Sequence, residues 1–391
     1  MCNPQCLIKA KLALCVFLLL IAGCSALQPQ KEQLSVQSED LVQGAILDEQ
    51  GRSLHMAELR QSLAQAEFVL VGENHGNACD HQLQAKLLQV WAESGKGPVL
   101  GLEMVPAASQ DILDEFNQGK ISVPELESAL KWEEIWGHDF SLYQPVLQAA
   151  RDFGIRVFGL NMSQAALQEL QDKGLRNMSE ELRQELPTRI IFPVQEQKEH
   201  LRQEYQRHLE MLEDASGSME DEERFFLVQS AWDSQMARQA LEVREQTGQQ
   251  VLILAGREHV RRDWGIVHRL RIMGDDPEVL TLVPWRGQGS IDAGQGDLFY
   301  YCPQLYQSRL GLVLRLEHEG MVVEEVQEDS RAHQAGFKSG DVLLEVGGNR
   351  INELMDLHQA ARQALHGKEP LVFEVERQGQ ELLLELKLRQ H

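Results

Sequence analysis

Positive charge is what this chain most lacks, with 37 Lys and Arg against 60 Asp and Glu and a formal net charge of -23. A phosphate-binding face needs clustered cations, so nucleic acid is excluded as a partner. Aromatic residues are sparse at 6%, and cysteines number six in 391 residues. No C-x-x-C occurs, which excludes a zinc ribbon and a thioredoxin-like redox site. The chain also has no G-x-S-x-G elbow, no G-x-x-x-x-G-K-[ST] loop, no G-x-G-x-x-G after a strand and no H-E-x-x-H helix. Hydrolase, nucleotide and zincin chemistries that depend on those motifs are therefore not the ones encoded here.

Long apolar runs are lacking too, with one exception near the start. "MCNPQCLIKAK" supplies two lysines and "LALCVFLLLIAG" an apolar run of about a dozen residues, too short to span a bilayer comfortably. "LIAGC" resembles a bacterial lipobox, in which cleavage before Cys24 is coupled to acylation of that cysteine with fatty acid such as palmitate. Ser25 follows in place of an acid, which points to the outer membrane. The expectation is a signal peptide over 1–23, a lipid anchor at Cys24, a polar tether over 24–43, and a mature chain on the periplasmic face of the outer membrane. Cys2, Cys6 and Cys15 leave with the signal, so Cys79 and Cys302 are the two remaining thiols, and the sequence leaves their pairing open.

Beyond the tether, short apolar runs alternate with amphipathic stretches: "FVLVG" (68–72), "PVLGLEM" (98–104), "IRVFGLN" (155–161), "VLILAG" (251–256) and "VLTLVPW" (279–285). Leu83, Leu87, Leu88 and Trp91 mark one helical face between the first two, and "LYQPVLQAARDFG" repeats the pattern and stops at Gly154. This alternation predicts an α/β fold with a mostly parallel central sheet flanked by helices, over residues 44–287. Residues 163–250, rich in Gln, Glu, Arg and Leu, are expected as a helical insertion that could lie as a lid over the strand ends. The glycine-rich stretch 288–304 is expected as a linker.

In residues 305–391, "DSRAHQAGFKSGDVLLEVGG" has a small residue before a helical turn, then A-G, then G-D, then an apolar strand ending in a glycine turn. This segment resembles a PDZ domain, a small β-rich module. By that resemblance Leu310, Gly311 and Leu312 form the loop that grips the carboxylate of a peptide or protein C-terminus.

The sharpest feature is a repeat. "VLVGENHG" (69–76) and "LILAGREHV" (252–260) both end a buried strand on G-x-x-H. Parallel strands deliver their C-terminal ends to one edge, where ligands bind. That edge would collect Glu73 and His75, Glu103 from "GLEM", Asn161, and His259. A carboxylate inside a buried strand is costly unless paired or coordinated. Two histidines with carboxylates suit either an open metal site, with His75 and His259 holding a divalent ion, or acid–base work by Glu73 and Glu103. His200, His208, His318, His333 and His358 lie on charged helices or in the C-terminal module and are expected to be solvated.

"FVLVGENHGNACDHQLQ", "GLEM", "GLNMS", "SAWDSQMARQA" and "VLILAGREHVRRDWGI" together resemble the ChaN family of haem-binding lipoproteins, grouped with erythromycin esterases and Tiki proteases. The resemblance implies a site lined by Glu73, His75, Glu103, His138, Asp233 and His259. It further implies a haem or iron complex bound for uptake, with Tyr143 or Tyr205 as axial ligand of haem iron. Haem or an iron complex, a membrane through the lipid, a peptide C-terminus and a second copy of the chain are the partners implied. The alternative is a metal-dependent hydrolase or peptidase of the Tiki or esterase type, its PDZ module presenting substrate.

Overall fold

The computed structural model describes residues 41–387 apart from 96, 212–218, 288, 309, 318–319, 352–353 and 368–369. The apolar N-terminal run, Cys24 and nearly all of the tether lie outside the described residues.

The first sheet has seven strands: β1 (Ile46–Asp48), β2 (Phe68–Glu73), β3 (Val99–Pro106), β4 (Val157–Asn161), β5 (Val251–Gly256), β6 (Val279–Trp285) and β7 (Leu298–Tyr301), in the order β1-β7-β6-β2-β5-β3-β4. All neighbours are parallel except β1, which runs antiparallel to β7. The five apolar runs seen in the sequence are β2 to β6. They read as unbroken apolar segments because both faces are covered. Along β2, Val69 and Val71 enter the core under one layer of helices, while Phe68 and Leu70 enter the core on the other, as the two-residue period of a strand requires.

Helix Ala78–Ala92 contributes Leu83, Leu87, Leu88 and Trp91 to the first core. Its start is fixed by Asn77, whose side chain accepts from the Cys79 N–H at 3.0 Å. Helix Gln144–Asp152 begins with a proline in its first turn, and Gly154 follows it at φ +65°.

Two expectations are corrected here. The stretch 288–304 is not only a linker, because Leu298–Tyr301 form β7 and extend the sheet beyond β6. Asp297 anchors that entry, exchanging hydrogen bonds with Thr281 of β6 at 2.7 to 2.9 Å. The insertion is helical, but its longest helix, Met219–Thr247, is no lid. Met236, Ala237, Ala240 and Val243 pack it onto the sheet as part of the second core.

The C-terminal module is an antiparallel sheet of β8 (Leu305–Gln307), β9 (Leu312–Glu317), β10 (Gly320–Val326), β11 (Val342–Val346), β13 (Leu371–Arg377) and β14 (Gln380–Leu386), ordered β14-β13-β11-β10-β9-β8, with β12 (Asn349–Arg350) paired to β11. It has its own core, centred on Leu314, Met321, Phe337, Leu343 and Phe373. Cys79 and Cys302 form a disulfide with Cα atoms 5.7 Å apart, joining the start of helix Ala78–Ala92 to the residue after β7.

Candidate functional site

The C-terminal ends of β2, β5 and β3 lie side by side, and the two G-x-x-H turns pack on each other there. A side chain at Gly72 would put its Cβ 3.0 Å from the Arg257 Cα. One at Gly256 would lie 3.1 Å from both Cε1 and Nε2 of His75 and 3.7 Å from Glu103 Oε2. Each glycine thus makes room for the other copy of the motif, which is why both strands end on one.

Glu73 closes β2 with its side chain wholly buried. Its Oε1 accepts from the Tyr143 hydroxyl at 2.8 Å and lies 2.8 Å from His75 Nδ1. Its Oε2 accepts from Gln84 Nε2 at 2.7 Å, with His81 Nδ1 at 3.6 Å. Burial pushes the Glu73 carboxyl up, but the His75 hydrogen bond and the charges of His81 and His75 outweigh it and hold the group below the usual carboxylate range. Burial likewise opposes a charge on His75, yet Glu73 and Glu103 raise it above an ordinary histidine.

Glu103 is equally buried, 1% exposed in the middle of β3. Its Oε2 accepts the Gly256 N–H at 2.6 Å, and its Oε1 lies 3.5 Å from His259 Nε2. His259 Nδ1 meets Asp233 Oδ1 at 2.6 Å. Burial opposes protonation of His259, but Glu103 and Asp233 overcome it and lift the imidazole to about 9. Asp233, from the long insertion helix, is backed by the fully buried Arg269 at 3.4 Å. The result is a two-sided arrangement: His75 with Glu73 and His259 with Asp233, each Nδ1 on its own carboxylate, set around Glu103.

His138 is exposed beside this cluster, its ring 5.1 Å from that of His75. Burial and the charge of His75 keep its pKa below the ordinary value. Trp136 stacks edge-on against His75 at 4.8 Å and donates its indole N–H to the Tyr143 hydroxyl at 3.0 Å.

Several expected roles change. Asn161 does not face a ligand: its Nδ2 donates to the Glu103 carbonyl at 2.9 Å and its Oδ1 accepts the Met162 N–H. It steadies β3 where the β3–β4 register slips between Leu102 and Pro106. Tyr143 is 2% exposed and holds Glu73, and burial followed by the Glu73 charge pushes its phenol far up. It is not placed to ligate iron. Glu73, with both oxygens committed, is structural and no free base. Among the described residues no group of three or more His, Cys, Asp or Glu is placed to hold a metal ion, so the divalent-ion alternative at His75 and His259 gains no support. His200 is only partly solvated. Its Nε2 lies 2.7 Å from Glu258 and its ring packs on Trp264, pinning the insertion to the second G-x-x-H turn. His333 is exposed, and the side chains of His208, His318 and His358 lie outside the described residues.

Unanticipated residues complete the site. His81 and Gln84 sit on the buried face of helix Ala78–Ala92 and reach Glu73, and Asp80 beside them pairs twice with Arg286 at 2.7 Å. Their signal was present: positions 80, 81, 84, 87, 88 and 91 form one helical stripe whose first half is polar.

Tyr205 lies away from the strand ends, in a groove of about 770 Å³ between helices Gln195–Met211 and Met219–Thr247. Phe225, Val228, Arg224 and Trp232 share its walls. Trp232 also abuts His259, ring centroids 5.0 Å apart, so the groove and the strand-end cluster share a wall.

The sequence model described as haem-binding uptake, Tiki superfamily, ChaN matches residues 59–270, more than half of the chain, and a PDZ model matches residues 308–388. Among solved structures, ChaN of Campylobacter jejuni, described with cofacial haem binding, aligns with a TM-score of 0.52 and 20% identity over 66% of this chain and 97% of that one. The HtrA3 PDZ domain bound to a phage-derived ligand aligns with a TM-score of 0.18 and 22% identity, covering 22% of this chain and 84% of that one. A mutant of the erythromycin esterase EreC aligns with a TM-score of 0.36 and 14% identity over 61% and 76% of the two chains. No curated protein matches the sequence. The chain belongs to the ChaN family of the Tiki superfamily, with a PDZ domain at its C-terminal end.

Proposed function

We propose that this protein binds haem in the groove at Tyr205 and serves haem or iron uptake. The observation that carries the proposal is the placement of the tyrosines. Tyr143, Tyr300 and Tyr301 are buried, and Tyr306 belongs to the PDZ sheet. Tyr205 is the tyrosine of the α/β domain that lines an open groove, where Phe225, Val228 and Trp232 offer an apolar wall to a flat ring and Gln171, Asp172, Glu204, Asp221, Arg224 and Gln229 make the rest polar. Phe225 lies 5.4 Å from Tyr205, ring centroid to ring centroid, and Trp232 continues the same wall. Burial and the nearby Asp221 and Glu222 push the Tyr205 phenol up. Those acids favour a cation at the hydroxyl, and Tyr205 would hold a ferric haem there, whose positive charge would favour the phenolate. Titration with haemin gives a saturable Soret band with a tyrosinate-to-iron charge-transfer feature, and Tyr205→Phe abolishes the feature. Unsaturable binding, or a spectrum unchanged in Tyr205→Phe, overturns the assignment.

Export to the outer membrane with acylation at Cys24 is part of the same proposal. "LIAGC" supports it, and so does the Cys79–Cys302 disulfide, which suits an oxidising compartment. A fatty-acid probe should label the wild type and spare Cys24→Ala.

One observation favours a second activity at the strand ends. His75 and His259 are both held by carboxylates through Nδ1 around the buried Glu103, which equips the cluster for acid–base hydrolysis without a metal ion. Hydrolysis of p-nitrophenyl acetate that is lost in His259→Ala, with haem binding retained, supports this reading; no hydrolysis above the buffer rate removes it.

A further inference from the structure

PDZ modules bind an extended peptide as an added antiparallel strand, with the terminal carboxylate on the backbone N–H groups of a loop. In this domain that loop is Leu310-Gly311-Leu312 and the receiving strand is β9. One edge of β9 pairs with β10. The other edge is filled by the chain itself, because β8 lies antiparallel along it, with Leu305 opposite Arg315, Tyr306 opposite Leu314 and Gln307 opposite Val313.

Two donors of the loop are taken as well. The Leu310 N–H donates to Ser308 Oγ and the Gly311 N–H to the Ser308 carbonyl, each at 3.0 Å. The Ser308 N–H in turn donates to the Leu312 carbonyl at 2.8 Å. The loop cannot yield to make room. Its Leu310 and Gly311 carbonyls are bound by the N–H groups of Ala332 and Gln327. Gly311 sits at φ +91° with Ser330 Cβ 2.1 Å from where its own Cβ would be. Tyr306 and Leu310 add packing against the PDZ core.

We propose that residues 305–308 are an internal pseudo-ligand that closes the peptide edge of the PDZ domain, so that a protein or peptide C-terminus binds only by displacing them. The root of this strap is fixed. Cys302 is disulfide-bonded to Cys79, its carbonyl accepts from Arg286 at 3.0 Å, and the Pro303 carbonyl accepts from Asn77 Nδ2 at 3.0 Å. A displaced strap therefore stays tethered and competes for the edge at high effective concentration. The apparent affinity for a peptide is the intrinsic affinity reduced by the fraction of molecules with the edge open.

The test uses the folded chain and a fluorescent decapeptide ending in valine with a free carboxylate, with its amidated form as control. Antiparallel pairing alternates, so the Ser308–Leu312 bond makes Tyr306 and Leu314 the next bonded pair. Tyr306→Pro removes that donor. By fluorescence anisotropy the free-acid peptide should bind Tyr306→Pro at least about tenfold more tightly than wild type, and the amidated peptide should bind neither. Ser308→Ala, which keeps the strand but frees the Leu310 N–H, should tighten binding by about threefold and stands in if the proline variant melts. Hydrogen exchange at the Tyr306 amide should quicken when peptide binds the wild type. Equal affinity for all three proteins, binding to the wild type without faster exchange at Tyr306, or no binding even to the opened variants each overturns the proposal.

Discussion

Replacing Asp233 by Asn tests the electrostatics of the strand-end cluster. In the native protein Glu103 and Asp233 overcome burial and raise His259 from 6.5 to about 9. At about 1.4 kcal/mol per unit this preference for the imidazolium contributes about 3 kcal/mol to folding. Because the folded pKa is the raised one, that stability is fully present below pH 6.5 and is lost as pH climbs towards 9. Asp233→Asn removes one of the charges that raise His259 and weakens the hydrogen bond, so roughly half of the stability lost between pH 6.5 and 9 should vanish. A second loss is independent of pH: Arg269, fully buried, keeps Ile191, Gln197 and Gly265 as hydrogen-bond partners but loses its counter-charge. The assay is urea denaturation at pH 6, 7.5 and 9 followed by tryptophan fluorescence. All six tryptophans lie in the α/β domain, so the PDZ domain does not contribute. Parallel stability curves for wild type and Asp233→Asn across that pH range would refute the assignment of charge to His259.

The other predictions concern the cluster and its supports. Replacing Cys79 and Cys302 together by Ser opens a cross-link spanning 223 residues and should cost about 2–5 kcal/mol in the same denaturation assay, whereas a wild type insensitive to reductant would contradict that. Gly256→Ala pushes a methyl to 3.1 Å from the His75 ring; it should lower stability by about 1–3 kcal/mol and shift the imidazole signals of His75 by NMR, and unchanged signals would show that the two turns do not touch. His75→Ala and His259→Ala should be non-additive in stability by more than about 0.5 kcal/mol, because both histidines offset the one charge on Glu103.

The sequence disclosed much of this fold because a doubly covered parallel sheet writes its strands as apolar runs, and β2 to β6 stood out on that account. β1 and β7 did not. They are three and four residues long, and "DLFYY" sits behind a glycine-rich stretch that reads as linker. At the site, the paired G-x-x-H turns were visible because a glycine and a histidine after a buried strand serve no core purpose. Asp233 came through family resemblance, since an acid on a charged helix looks solvated until the helix is docked. Asn161 and Tyr143 were misjudged for a different reason: a register slip in β3 and a buried hydroxyl reaching Glu73 are matters of path and packing, which residue identity does not encode. The strap at β8 was equally hidden, because three residues before a PDZ loop carry no pattern that says which edge they cover.

The most direct measurement of the central claim is a crystal structure of the haem-loaded protein. The account predicts iron bonded to the Tyr205 hydroxyl oxygen, with the ring against Phe225 and Trp232 and the Glu103 cluster unchanged. Iron bonded to His75 or His259, with Tyr205 free of it, would contradict the account.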